Sequence, residues 1–199
     1  HMRRVGVVMA VVGLLMGSTT MAVAQDAASD DGTEPQTLDV PDAGVEISLP
    51  AAWSADIEMR QKEDWGLYDE GIADEPVPFW KVIYASDGSG TWCDLTWYPS
   101  HPLALDAHAE RYEALMTPSH SDVERPIEVT SVELPAGEAY RFDIYNEPSA
   151  TYTTVYLLAS GDAHYQLQCV GDEPAEDGWL SVAESLQLSE GGAGEAEAE

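Results

Sequence analysis

The sequence predicts an α+β fold, in which a mostly antiparallel sheet is covered by helices. Segments rich in aromatic and β-branched residues follow one another with only short turns between them, which is typical of antiparallel neighbours. Two further segments carry apolar residues at helical spacing. There is no internal repeat, so we expect a single domain, which spans residues 45–188.

The predicted domain opens with a short strand. Val45–Leu49 alternates apolar and polar residues, and Pro50 ends the alternation. Residues 54–76 follow, and for them both a loop and a short strand stay open. The apolar residues in the later part of that segment are Trp65, Leu67, Tyr68 and Ile72.

The clearest local unit is a hairpin of strands 79–85 and 91–98 around the glycine-rich turn 86–90. Side chains alternate between the two faces of a strand. One face of the second strand therefore carries Cys93, Leu95 and Trp97. The opposite face carries Trp92, Asp94, Thr96 and Tyr98.

The second half of the chain predicts two helices and four further strands. A helix is expected over residues 102–116, ended by Pro118. Its apolar stripe consists of Leu105, Ala109, Tyr112 and Leu115 or Met116. The strands are 127–134, 138–145, 151–159 and 164–170. After Pro174 we expect a helix that buries Trp179, Val182, Ala183 and Leu186, and then a short end strand at 186–188.

Residues 2–24 have the three parts of an export signal. Arg3 and Arg4 precede an apolar run from Val5 to Met16, and Ala22–Ala24 matches the small-x-small cleavage pattern. The alternative is a membrane anchor, but the run has about a dozen residues, whereas a span needs roughly 20. No cysteine follows the cleavage point to take a lipid, so we expect no stable membrane anchor after cleavage. The predicted location is periplasmic or extracellular.

The expected mature chain is strongly acidic. Residues 1–24 hold two of the eight Lys and Arg and none of the acids, which leaves 6 bases against 37 acids and a formal charge of −31. This charge excludes nucleic acid and anionic lipid as default partners. We interpret it as a solvated surface adapted to salt or alkaline surroundings, with a dedicated calcium site as the alternative. Weak, non-specific divalent cation binding is expected from the charge alone.

Both ends of the mature chain are predicted to lack a packed structure. Residues 25–44 are acidic and rich in Ala, Gly and Pro, which predicts a flexible linker. Residues 189–199 have the same composition and predict a disordered acidic tail. The nearest match to a calcium loop, residues 29–34, lies in the linker and lacks the full ligand spacing.

The two cysteines, Cys93 and Cys169, predict a disulfide, because an even count in an exported protein favours a structural bond. Free thiols or redox chemistry are the alternatives, but the close spacing of a redox pair is absent. Tyr165, Leu167 and Cys169 share a strand face, so both cysteines can point into one core. In the chain-entropy model the bond contributes roughly 4 kcal/mol.

The order of these elements resembles the Mog1/PsbP-like superfamily, α/β/α sandwich domains that include LpqN-like exported bacterial proteins. The matching residues are Val45–Trp53, which look like the family's strand, proline and tryptophan start, and in the second half 156–158, 161–162, 165–169 and 184–188. The resemblance implies a non-enzymatic binding or assembly module that docks onto a larger protein complex. The chain departs from the LpqN-like members by lacking the lipid-anchor cysteine and from the photosynthetic members by its extreme acidity.

Sequence motifs for catalysis, metal and cofactor binding are missing. There is no G-x-S-x-G nucleophile elbow and no glycine-rich phosphate loop, so we expect no enzyme and no cofactor. The histidines His101, His108, His120 and His164 are scattered without zinc-binding spacing, which predicts no metal site. We expect His108 to be a partly exposed residue on a helix surface.

The candidate binding surface lies on the hairpin face opposite the cysteines. It consists of Trp92, Asp94 and Tyr98, since tryptophan and tyrosine rings can stack on a partner protein or a sugar. The alternative is that a sheet covered on both faces buries these rings. The leading hypothesis is therefore a protein-binding module; a small-ligand or carbohydrate binder comes second, and an undetected hydrolase that uses a carboxylate pair comes third.

Overall fold

The computed structural model describes residues 34–61, 79–119, 127–147, 149–173 and 176–189. The predicted signal peptide, the apolar residues from Trp65 to Ile72 and His120 lie outside these ranges. Neither helix within the described ranges is long and apolar enough to cross a membrane.

The described elements confirm the predicted α+β class. In chain order they are β1 (Gln36–Val40), a 3-10 helix (Pro41–Ala43), β2 (Val45–Leu49), β3 (Ser54–Gln61), β4 (Trp80–Ser86), β5 (Trp92–Tyr98), α1 (Leu105–Ser119), β6 (Glu128–Leu134), β7 (Gly137–Asn146), β8 (Thr151–Ser160), β9 (Ala163–Gly171), α2 (Glu176–Ser185) and β10 (Gln187–Leu188). The first eight residues of the ambiguous segment 54–76 are thus strand β3, and the rest lies outside the described ranges. The other predicted strands and helices are present, and their ends differ by a few residues.

The strands form two antiparallel sheets. The larger sheet has seven strands in the order β3-β4-β5-β9-β8-β7-β6. The smaller sheet has the order β1-β2-β10, so that β2 lies between the first and the last strand of the domain. All strand pairs of the described residues are antiparallel, as the short turns predict.

The larger sheet is covered differently on its two faces. On one face, apolar residues of β4, β5, β8 and β9 pack with the smaller sheet and α2 into the main core. On the other face, α1 packs over β7 and β8 through Ala109 and Tyr112, which contact Phe142, Val155 and their neighbours. We call this second face the α1 face. Helices therefore lie on both sides of the sheet.

The predicted disulfide is present in the main core. Cys93 and Cys169 are directly opposite each other in the β5–β9 pair, their Cα atoms are 4.0 Å apart, and their sulfur atoms are bonded. Both residues are buried. The bond joins the two central strands of the larger sheet across 76 residues of sequence.

The predicted linker boundary was wrong. Within the predicted linker, residues Gln36–Val40 form strand β1, because Leu38 and Val40 alternate with polar residues and β1 pairs along the whole of β2. Gly44 has a φ of 63°, a left-handed conformation that glycine adopts without strain, and it turns the chain from the 3-10 helix into β2. At the other end, Ser189 donates its backbone N–H to the Gly44 carbonyl at 2.9 Å, so the packed structure extends one residue into the predicted tail.

The predicted limits of the first helix were also shifted. The chain before α1 is irregular, because the His101 N–H bonds the Asp162 carbonyl at 2.8 Å and holds this segment at the β8–β9 turn. At its other end α1 continues through Pro118 to Ser119. In the last turns of α1, the Thr117 hydroxyl donates a hydrogen bond to the Glu113 carbonyl oxygen at 2.8 Å.

Replacement of both cysteines, Cys93→Ala with Cys169→Ala, is expected to lower the free energy of unfolding by about 4 kcal/mol, since the unfolded chain regains the entropy of an open loop. Guanidinium denaturation of the variant and of the oxidised wild type measures the difference. Equal midpoints at equal slope would contradict a stabilising bond.

Val40→Ala is expected to lower the free energy of unfolding by about 2 kcal/mol, because Val40 is buried where β1 joins the main core. Asp39→Ala is the matched control, since Asp39 is exposed on the same strand and should change stability by less than about 0.5 kcal/mol. If residues 36–40 were a flexible linker, both substitutions would be neutral.

Candidate functional site

The α1 face carries a cleft beside the helix, over β4, β5 and β9. Alternate residues of β5 and β9 point to this face because their neighbours in sequence point into the main core. The cleft encloses about 80 Å³. Its lining residues are Phe79, Lys81, Trp92, Asp94, Thr96, Tyr98, Gln166 and Gln168.

The three candidate residues of the hairpin all line this cleft. Trp92 is half-buried and its ring is 5.9 Å from Tyr84, which is 44% exposed. Tyr98 is only 3% exposed and packs against Phe79 at 5.5 Å between ring centroids. Trp92 and Tyr84 can therefore offer ring surface to a partner, whereas Tyr98 forms part of the wall. Asp94 lies between the two ends of the cleft on the same strand.

The polar part of the cleft combines an ion pair with amide groups. Lys81 Nζ is 2.7 Å from Asp94 Oδ2, and their side chains are 17% and 13% exposed. Gln166 is 5% exposed, and its Oε1 atom has no hydrogen-bond partner among the described residues. Leaving a buried acceptor unsatisfied costs about 1–3 kcal/mol. The cleft therefore favours an occupant that donates a hydrogen bond.

Lys81, Gln166 and Gln168 were not among the binding residues predicted from the sequence. A signal for the two glutamines was present, because they alternate with Leu167 and Cys169 and so must face away from the main core. What the sequence lacked was the pairing of β9 with β5, which brings the glutamines beside the hairpin.

At the end of the cleft, three histidines from separate segments come together. His101 precedes α1, His108 lies on α1 and His164 lies on β9, opposite Tyr98 of β5. The ring of His101 is stacked on both others, at 4.1 Å from His108 and 4.4 Å from His164 between centroids. His108 Nδ1 and His164 Nδ1 are 2.9 Å apart, in a hydrogen bond between the two rings.

The prediction for His108 was wrong, because this residue is fully buried instead of partly exposed. The three histidines, which are scattered in the sequence, lie together in space. One ring nitrogen from each lies within 4.8 Å of the others, a grouping that could hold a metal ion. Zinc-binding spacing could not reveal it, because the three residues meet only after β9 pairs with β5 and α1 packs on the sheet.

Burial makes the three imidazoles neutral at neutral pH. Burial, together with smaller contributions from repulsion by His101 and His164, lowers the pKa of His108 from 6.5 to about 3. Burial and the neighbouring His101 lower the pKa of His164 to about 4. For His101 burial also lowers the pKa, against an opposing hydrogen bond with the backbone of Leu103.

Tyr98 joins the histidine cluster to the cleft. Its ring meets those of His101 and His108 edge to face, at 5.6 and 5.8 Å between centroids. The same ring forms the cleft wall with Phe79. A movement of the histidine rings would therefore displace the Tyr98 ring and change the wall of the cleft.

Comparison with known proteins shows the fold of this chain. The solution structure of cyanobacterial PsbP (CyanoP) from Synechocystis sp. PCC 6803 superposes with a TM-score of 0.50, at 9% sequence identity, over 79% of this chain and 94% of that one. The protein thus has the Mog1/PsbP-like fold that its element order resembles. No protein-family model matches the sequence. No curated protein matches it either.

Stability should fall between pH 7.5 and 5.5 because of the buried histidines. Their folded-state pKa values are lowered, so the unfolded state binds protons first, and stability present above about pH 6.5 is lost as the pH falls. At pH 5.5 each such histidine costs about 1 kcal/mol. Denaturant unfolding of metal-free protein at the two pH values measures this loss.

The variant His164→Gln is the comparison for this pH effect. It should lose about 1 kcal/mol less than the wild type between the two pH values, whatever its stability at pH 7.5. An identical pH-dependent loss in the variant would show that His164 is not held neutral by the fold.

Proposed function

We propose that this chain is a non-enzymatic binding module that docks onto another envelope or extracellular protein through the cleft of the α1 face. The observation that carries the proposal is the cleft itself, with an accessible Trp92 at one end and the buried, unsatisfied Gln166 acceptor in its lining. The Mog1/PsbP-like fold supports a binding or assembly role, as the family resemblance implies.

The size of the cleft favours a protein partner over the alternative, a sugar or another small ligand. Sites for such ligands usually enclose about 300–1,000 Å³, whereas this cleft encloses about 80 Å³. That space suits one inserted side chain. Tryptophan and tyrosine are frequent anchors of protein interfaces, and Trp92 and Tyr84 lie at the rim.

The net charge of the whole chain indicates the chemistry of the partner. The whole chain has a formal charge of −29, and exposed acids occur on many of its elements. Electrostatic complementarity therefore favours a partner with a basic rim. The inserted side chain would carry a hydrogen-bond donor at its end, because it must satisfy Gln166 Oε1.

The cleft does not have the composition of a hydrolase site. In the part of the chain that the structure describes, its lining contains one carboxylate, Asp94, which is paired with Lys81, and no histidine. A carboxylate pair for glycosidase chemistry needs two acids about 5–9 Å apart in one cleft. This composition supports a binding role.

Export fits the same proposal. The signal in residues 2–24 directs the chain out of the cytoplasm, and a buried disulfide is typical of proteins in oxidising compartments. Cleavage after Ala24 would release the domain into the periplasm or the medium, where its acidic surface suits salty surroundings.

Trp92→Ala should abolish recovery of the partner when the purified protein is used as bait in an envelope and secreted fraction of the native cells. The substitution removes the accessible ring at the rim of the cleft, for a loss of at least tenfold in affinity, or about 1.4 kcal/mol. A photo-crosslinking residue at Gln168 would mark the contacted protein directly, since Gln168 lines the cleft.

Ile57→Ala serves as the matched control for this experiment. Ile57 is 52% exposed on β3, outside the cleft lining, and its substitution should leave recovery unchanged. A partner retained equally by both variants would place the interface elsewhere. No protein recovered by the wild type at low salt would count against a docking module.

A further inference from the structure

We propose that His101, His108 and His164 form a binding site for a transition-metal ion, which ties α1 to the larger sheet. The site lies beyond the docking cleft, and its test requires no partner. Each of the three residues belongs to a different segment of the chain, and all three are buried.

The ring nitrogens of the three histidines are close to the spacing that a single metal ion requires of its ligands. Two ligands of one tetrahedral zinc ion, each about 2.0–2.1 Å from the metal, lie roughly 3.4 Å apart. The nitrogens of His108 and His164 are 2.9 Å apart, and one nitrogen from each of the three rings lies within 4.8 Å of the others. Closing this set around one ion requires shifts of roughly 1–2 Å, which side-chain rotation supplies.

Two of the rings have ring nitrogens that no protein group satisfies. His101 Nε2 and His108 Nε2 are buried and have no hydrogen-bond partner among the described residues. A buried polar atom without a partner costs free energy, so an occupant that satisfies these atoms is favoured. A neutral imidazole nitrogen that carries a lone pair can accept a hydrogen bond or coordinate a cation, and each ring can offer one of its two nitrogens to one ion.

The backbone of Leu103 contacts His101 Nδ1 with both of its polar groups. Nδ1 lies 3.4 Å from the Leu103 carbonyl oxygen and 3.3 Å from the Leu103 nitrogen, whose N–H donates to Nδ1 when that atom carries the lone pair. When Nδ1–H donates to this oxygen, the lone pair is on Nε2, the atom without a partner. Metal-binding histidines usually donate their second nitrogen to a carbonyl or carboxylate in this way.

Binding requires the rings to turn. In the structure the three rings lie within 13° of parallel, and lone pairs in the planes of stacked rings do not meet at one point. The torsion between Cβ and the imidazole ring of histidine is broad, so rotation about it is the least costly movement. Tyr98 contacts two of the rings and would move with them.

The donor set identifies the class of metal. Imidazole nitrogens suit zinc, copper and nickel, whereas calcium and magnesium require oxygen ligands. Three histidines leave a fourth position for water or another ligand. We therefore expect Zn²⁺ or Cu²⁺ and no selectivity for Ca²⁺.

Isothermal titration with Zn²⁺, in about 1 mM Ca²⁺ to occupy weak sites on the acidic surface, is expected to show one tight site per chain. Co²⁺ should give the visible absorption bands of a four-coordinate ion. Zn²⁺ should raise the melting temperature, and a chelator should reverse the change, because an ion that binds only the folded state stabilises it.

His164→Gln and His101→Gln should each weaken Zn²⁺ binding at least tenfold and remove the cobalt spectrum. His101→Gln affects the least buried of the three positions, so it keeps the test valid if His164→Gln does not fold. Glu110→Gln is the matched control, since Glu110 is exposed on the same helix as His108, and this variant should bind Zn²⁺ like the wild type. Zn²⁺ affinity unchanged in both site variants, or no zinc binding above the calcium-masked background, would overturn the proposal.

Discussion

The pairing of β5 with β9 is the constraint on which the rest of the structure depends. Seven consecutive residue pairs, from Trp92 opposite Val170 to Tyr98 opposite His164, join a hairpin to a strand more than 60 residues later. Because side chains alternate, this one register places the cysteines in the main core and the glutamines, Tyr98 and His164 on the α1 face. A slip of one residue would exchange the two faces and remove both the disulfide and the cleft.

The two faces of β5 and β9 differ in composition and in structural role. The core-facing residues are mostly apolar and carry the disulfide, and the Tyr165 hydroxyl among them donates to the Ala43 carbonyl oxygen, so this face fixes the strands by packing. The α1 face is only partly covered by its helix, and beside it polar and aromatic side chains remain near solvent. The packed core side of these strands thus holds the residues of the α1 face in position. A binding site on such a support needs little ordering when it meets a partner.

Local sequence patterns predicted most of the strands and helices. The features that they did not predict depend on pairing between segments distant in sequence. The hairpin, the later strands and both helices follow from alternation and helical spacing, and the two cysteines were correctly expected to meet. Strand β1 was missed because five residues with only two apolar positions resemble a polar linker until β2 pairs with them. The faces of Trp92 and Asp94 were predictable, but the burial of Tyr98 and the meeting of the three histidines depend on segments distant in sequence.

The smaller sheet has a consequence for the order in which the chain can fold. Its middle strand, β2, pairs with β10, and the Ser185 hydroxyl bonds both the N–H and the carbonyl of Ser48, 137 residues earlier. The smaller sheet therefore cannot be completed before its last strand, β10, has been synthesised, whereas β2 and β1 can already pair with each other. The edge of β2 that β10 covers is the last part of the described sheets to acquire its partner, which makes this pairing the contact of longest sequence separation in the domain.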